Sequence, residues 1–185
     1  MTVWTTVDSP LGGLLVARDD VGITHLYLPS GRHPRSAASG WTRDDAAFDD
    51  VRGQLGEYFA GARTTFDLPL HATGSQFQQR VWAALLQIPC GETRSYGALA
   101  ASLSSPSASR AVGMANGQNP ISIVVPCHRV IGADGSLTGY GGGLPAKKWL
   151  LAHEAEHVPV GLFAGSCEPA LEGVGDSDSR RRAGR

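Results

Sequence analysis

A chain of 185 residues, 42% of them hydrophobic and 18% charged, is long enough to bury an ordinary core in one or two domains. Its net charge of -1 excludes a protein that holds nucleic acid by charge alone. No apolar run approaches a membrane span, and the opening MTVWTTVDSP has no basic leader or long apolar stretch, so a cytoplasmic location without membrane attachment is expected.

Three cysteines, Cys90, Cys127 and Cys167, form no CxxC pair and leave an odd thiol, as in a reducing compartment. In chain order, residues 14–17 and 23–28 read as two strands of a hairpin, separated by polar and glycine turn material. Residues 30–45, rich in Ser, Gly, Pro, Arg and Asp, read as a loop. Val51, Leu55 and Phe59 then recur every four residues in a helix that Gly61 stops, closing a small α+β unit over 1–71.

From residue 72 the pattern turns helical. Ser75 and Gln78 have capping-box spacing, and Phe77, Val81, Leu85 and Ile88 line one face until Pro89 and Gly91. Ser95 caps a short helix to about Leu103, and Pro106 opens another that runs through Arg110 to Asn116, a candidate helix-turn-helix. A glycine-dense loop, TGYGGGLP, precedes a last helix from Pro145 to about His157, and 158–185 reads as a disordered tail. The expected fold class is thus α+β: a small sheet-plus-helix domain over 1–71 and a mostly helical domain over 72–157.

The chemistry concentrates in VVPCHRV at 124–130. Ile121, Ile123, Val124 and Val125 read as a short buried strand that Pro126 ends, so that a turn presents Cys127. A buried core cysteine gains nothing from a following His-Arg pair, whereas a nucleophilic one needs basic neighbours to become a thiolate. Adjacent side chains diverge, so His128 reaches the sulfur through a tight turn or a bridging water and needs a third group to orient it.

The last helix contains HEAEH at 153–157, the spacing of a zinc protease, but the third ligand would have to be Glu168 or Glu172 in the tail. Glu154 instead shares a face with Leu150 and Leu151, where a buried acid needs a partner. A bond to His128 supplies one and completes a Cys, His, Glu relay. Residues 75–157 carry six basic against four acidic side chains, a weak bias toward a phosphate-facing surface. A cysteine hydrolase would need an oxyanion hole that nothing outside the triad marks, and a helix-turn-helix regulator would need no nucleophile.

With GETRSYGALA upstream, SRAVGMANGQNP between, and TGYGGGL and KKWLLAHE after, PCHRV at 126–130 resembles the O6-alkylguanine-DNA alkyltransferases. The resemblance covers about residues 70–157, and the N-terminal unit fits that family's variable first domain. It implies that Cys127 accepts the alkyl group, that His128 is the base acting through water, that Glu154 orients it and that Asn119 stabilises the turn. It further implies that Tyr96 assists the leaving guanine, that Arg110 enters the base stack from a helix-turn-helix lying in the minor groove, and that Tyr140 and the Gly141 amide border the lesion pocket. The implied partner is double-stranded DNA containing O6-alkylguanine, met by a monomer that transfers once and irreversibly, without a cofactor. The cysteine and histidine ligands that give some relatives an N-terminal zinc are missing, since the first cysteine is Cys90, so no structural metal is expected. Cys127 also sets the chain apart from the family branch that lacks the cysteine and only binds lesions.

Overall fold

The computed structural model describes residues 1–30 and 36–158. The chain begins with three antiparallel strands, β1 (Val3–Val7), β2 (Leu14–Arg18) and β3 (Ile23–Tyr27), and a short β4 (Thr42–Arg43) lies parallel to β1, giving the order β3-β2-β1-β4. The expected hairpin is β2 and β3. Strand β1 was not expected, because its VWTTV mixes threonines with apolar residues. Thr5 is nonetheless buried, its hydroxyl donating to Asp45 Oδ1 at 2.6 Å and accepting from Arg52 Nη2 at 2.7 Å. Strand β4 falls within the segment expected to be loop.

Helix α1 (Asp49–Phe59) buries Val51, Leu55 and Tyr58, with Phe59 only half-buried. The expected face held Phe59, but at 3.6 residues per turn the position seven residues after Val51 returns to its face and the position eight after does not. Gly61, at φ +75, ends the helix in a left-handed turn.

Helix α2 (Gln76–Leu85) starts at the expected capping box: Ser75 Oγ accepts from the Gln78 amide at 3.3 Å, and Gln78 Oε1 accepts from the Ser75 amide at 2.7 Å. Trp82 on α2 donates its indole N–H to Ala115 O at 2.9 Å. Helix α3 (Tyr96–Ser102) is capped by Ser95, whose Oγ accepts from the Ala98 amide at 3.1 Å. A link containing a 3-10 turn at Pro106–Ala108 leads into α4 (Ser109–Gly117). Helix α5 (Leu144–His157) closes the described chain, apart from Val158. The tail expected over 158–185 lies outside the described residues except for Val158.

One hydrophobic cluster runs through both halves of the chain, from Leu14, Ile23 and Leu26 through Leu55, Val81 and Leu85 to Val125 and Leu150. Each such fully buried aliphatic side chain contributes roughly 1.5–3 kcal/mol relative to exposure. The halves are also joined through backbone: Leu26 of β3 donates to Pro120 O at 2.9 Å, and Ser122 donates to Leu26 O at 3.0 Å.

That junction corrects the reading of 121–125. The segment is buried but is not a strand: it makes a single bridge, Leu26 with Ile121, and then turns, with Ile123 at φ +70. A β-branched residue in that region is strained by about 1–2 kcal/mol. Within the turn Val125 donates to Ile121 O at 3.0 Å and Val124 to Ser122 O at 2.9 Å, while the Asn119 side chain donates to Ile121 O and Val125 O and accepts from the Ile121 amide. Apolar β-branched composition suits a buried turn as well as a strand once a side-chain amide replaces the ladder.

Because Ser75 satisfies an otherwise orphaned amide of α2, Ser75→Ala is expected to lower stability by about 1 kcal/mol in urea unfolding, with the denaturant slope unchanged.

Candidate active site

Three elements converge beneath the strained turn. The reactive residues occupy a 3-10 turn, Cys127–Arg129, after which β6 (Val130–Ile131) pairs in parallel with β5 (Arg94–Ser95) at the mouth of α3. Asn119, just past α4, reaches under the turn: its Nδ2 donates to Val125 O at 2.8 Å and lies 3.0 Å from Cys127 Sγ, while its Oδ1 accepts from the Ile121 amide at 3.0 Å. Asn116 on α4 adds a bond from Nδ2 to Cys127 O at 3.3 Å.

Cys127 is 4% exposed, and burial pushes its thiol up to about 11, against a smaller opposing pull from the Asn119 amide and the Lys147 ammonium. His128 is fully buried and held below the usual imidazole range, chiefly by burial, which the Glu154 contact offsets only in part. At neutral pH the resting pair is therefore a thiol beside a neutral imidazole, able to take up a proton.

The tautomer follows from Glu154. Burial alone would raise its pKa, but the hydrogen bonds and charges of His128 and Arg129 hold the carboxyl far below the usual range, so it stays ionised and only accepts. His128 Nε2, 2.8 Å from Glu154 Oε1, must then be the donor, which leaves Nδ1 as the lone-pair nitrogen. Among the described residues Nδ1 has no hydrogen-bond partner. The contact expected between His128 and Glu154 is thus present, with the lone-pair nitrogen on the other side of the ring.

The remaining expected residues sit in two places. Tyr140 is buried against His128, with ring centroids 6.5 Å apart. The adjoining glycines serve packing as well as access: a Cβ on Gly142 would lie 2.8 Å from the Tyr140 ring, and Gly143, at φ +87, leads into α5. Gly141 is exposed, facing Gly117 O at the end of α4. Tyr96 is half-buried at the start of α3, its ring against Gly113 of α4, and Arg110 is exposed on α4. The fold therefore joins Cys127, His128, Glu154, Asn119 and Tyr140 in one buried group and sets Tyr96, Arg110 and Gly141 on or beside α4.

HEAEH divides its residues between different tasks. His153 donates Nε2 to Tyr58 O at 2.8 Å and stacks on Trp149 at 4.9 Å, while His157 donates Nδ1 to His153 O at 2.8 Å. Glu154 faces the reactive turn instead. Among the described residues no group of three or more His, Cys, Asp or Glu could hold a metal ion.

Sequence reasoning missed several residues of the site. Arg129 grips Glu154 through both carboxylate oxygens, Nε to Oε2 and Nη2 to Oε1, each at 2.9 Å, and donates Nη1 to Ile88 O. Lys147 is fully buried and donates to Val130 O at 2.6 Å and Thr138 O at 2.9 Å. Tyr58 donates its hydroxyl to Glu154 Oε1 at 2.8 Å, and the Gly91 amide donates to Oε2 at 3.1 Å. Lys147 was legible in principle, since it lies seven residues before Glu154 on the same helical face. Tyr58, 96 residues away in sequence, carried no local signal.

A buried thiol followed by a neutral imidazole that a carboxylate holds, with the α3–α4 pair nearby, is the arrangement of a protein that uses a cysteine nucleophile. Residues 76–156 match the family model described as 6-O-methylguanine DNA methyltransferase, DNA binding domain, and residues 2–72 match the same family's ribonuclease-like domain. A methylated-DNA--protein-cysteine methyltransferase of Mycolicibacterium paratuberculosis is 54% identical over 88% of this chain and 98% of its own. The crystal structure of Mycobacterium tuberculosis O6-methylguanine methyltransferase superposes with a TM-score of 0.80 at 50% identity, over 86% of this chain and 96% of that one. The Mycobacterium tuberculosis OGT solved in complex with DNA superposes at 0.79 over 85% and 96%, also at 50% identity. The chain belongs to the methylated-DNA--protein-cysteine methyltransferase family.

Because the carboxyl of Glu154 is depressed in the folded chain, its contribution to stability is present above the unfolded value and lost as pH falls toward the folded one. Urea unfolding is expected to weaken progressively below about pH 4.3, and Glu154→Gln should flatten that part of the profile.

Proposed function

We propose that this protein repairs O6-alkylguanine in double-stranded DNA by moving the alkyl group irreversibly onto Cys127. The observation that carries this reading is the buried Cys127 thiol, held by Asn119 beside a histidine whose other nitrogen is locked to Glu154. In this mechanism His128 Nδ1 takes the thiol proton through a water, and the imidazolium is stabilised by the Glu154 carboxylate. The thiolate sulfur then bonds to the alkyl carbon as the carbon–O6 bond breaks. The electron pair leaves on the guanine, which Tyr96 protonates.

The product is a thioether with no carbonyl for water to attack, so each chain acts once. No cofactor or metal enters any step. Because the target oxygen lies inside the duplex, the nucleotide must leave the stack at a cost of a few kcal/mol. Arg110, exposed on α4, fills the gap it leaves, and Tyr140 and the Gly141 amide border the pocket that receives the base.

In this reading α3 and α4 form a helix-turn-helix seated in the minor groove, within an alkyl-transfer domain over 72–157 that follows an α+β domain over 1–71. In this reading the protein works as a monomer. Its location is the cytoplasm, where the free thiols Cys90 and Cys127 stay reduced. Among the described residues no helix is long and apolar enough to cross a membrane.

Intact mass after mixing with excess methylated duplex should show one methyl gained per chain, on the Cys127 peptide, and Cys127→Ser should bind the lesion without gaining mass. Several methyl groups removed per chain would indicate a hydrolase and overturn the reading.

Arg110→Ala should slow repair of duplex DNA at least on the order of tenfold more than transfer from free O6-benzylguanine, since only the duplex requires extrusion. Equal losses on both substrates would place Arg110 in the fold or the chemistry instead.

A further inference from the structure

We propose that Tyr58, on helix α1 of the N-terminal unit, is a positioning residue for alkyl transfer, acting through its hydroxyl on the Glu154 oxygen that holds His128. The inference rests on the relay described above and extends it to a part of the chain with no residue in that relay. Three donors share Glu154 Oε1: His128 Nε2 at 2.8 Å, Tyr58 Oη at 2.8 Å and Arg129 Nη2 at 2.9 Å. Oε2 accepts from Arg129 Nε and the Gly91 amide, and the Cys90 side chain is a further hydrogen-bond neighbour of the carboxylate. Arg129 engages both oxygens and the Gly91 amide adds a bond to Oε2. Tyr58 adds a neutral donor to Oε1, the same oxygen to which His128 donates, and so helps fix that oxygen in place.

Tyr58 is itself held on several sides. It is 1% exposed, and its carbonyl accepts from His153 Nε2 at 2.8 Å, one residue before Glu154 on α5. Its ring packs against Phe66 at 5.4 Å and His153 at 5.3 Å. The residue thus clamps α5 from both ends, carbonyl on His153 and hydroxyl on Glu154. Burial and the neighbouring carboxylate push the phenol far above its ordinary range, so it is a neutral donor at every working pH. A core tyrosine serving packing alone would need only a partner for its hydroxyl, whereas this one shares its acceptor atom with the base of the reaction.

The test is single-turnover transfer from free O6-benzylguanine across pH, for wild type, Tyr58→Phe, Glu154→Gln and the double variant, with thermal unfolding of each. Tyr58→Phe keeps the ring and should remain folded. Its transfer should be slower by about tenfold near neutral pH, a size usual for coupling within one hydrogen-bond network. Half-saturation by the free base should not change. The loss should shrink as pH rises toward about 11, where the thiol ionises with less help from His128. The double variant should be no slower than Glu154→Gln alone, because the hydroxyl acts only through that carboxylate.

A wild-type rate for Tyr58→Phe overturns the inference, as does an equal loss at every pH or a double variant showing the product of both losses. A wild-type rate for Glu154→Gln overturns the relay itself and the inference with it. A slow Glu154→Gln beside an unimpaired Tyr58→Phe overturns the inference alone. Should Glu154→Gln fail to fold, the pH profile of Tyr58→Phe decides by itself.

Discussion

A carboxylate taken out of water loses several kcal/mol of hydration, and it stays ionised in a protein interior only where donors replace what water supplied. Glu154, 1% exposed, accepts five hydrogen bonds, from His128, Arg129 twice, Tyr58 and the Gly91 amide. Those donors come from the reactive turn, from helix α1 and from the chain after α2, so one buried charge fastens α5 to three separate segments. The same bonds fix the tautomer and plane of the His128 ring. Fold and chemistry thus share a single electrostatic node, and the site cannot be loosened without loosening the fold around it.

The thiol is kept in a state that looks unreactive. Burial favours the neutral forms of both Cys127 and His128, so the resting pair adds no further charge beside the buried Glu154 and Arg129. Reactivity is held instead as geometry: an amide donor at the sulfur, a lone pair on the imidazole, and a carboxylate set to receive the positive charge when it forms. Under the proposed single transfer this has a physical benefit. A free thiolate would be open to oxidation and stray alkylation, whereas a buried thiol held in its neutral form is protected from both.

Beside the site, backbone strain sits at Ile123, at φ +70, between the edge of β3 and Cys127. Asn119 makes that turn possible by replacing a strand partner with its side-chain amide, and the same amide lies 3.0 Å from the sulfur. Outside the site, α4 turns Val112, Ala115 and Asn116 inward and leaves Arg110, Ala111, Met114 and Gly117 exposed. That outer face has one cation, which agrees with a chain whose net charge is only -1 and whose affinity for DNA must draw on shape as well as charge.

Local rules were legible where a few neighbouring residues settle the matter. The Ser75 and Gln78 capping box, the Ser95 cap and Gly61 each fix an amide or a backbone angle within one turn, and each stands where the sequence placed it. The pairing of His128 with Glu154 was also legible, because an acid on a buried helical face demands a partner and a general base demands an orienting group. The nature of 121–125 was not, since the same apolar letters serve a strand or a buried turn and only the Asn119 amide and the β3 edge distinguish them. Nor were the parts played by Tyr58 and Arg129, whose partners come from other segments of the chain. The sequence by itself thus determined the pairing of His128 with Glu154 next to Cys127 and the helices around them, through spacing and residue chemistry. Only the tertiary structure decided how the Glu154 charge is satisfied, because hydrogen bonds between groups as many as 96 residues apart depend on the folded path of the chain.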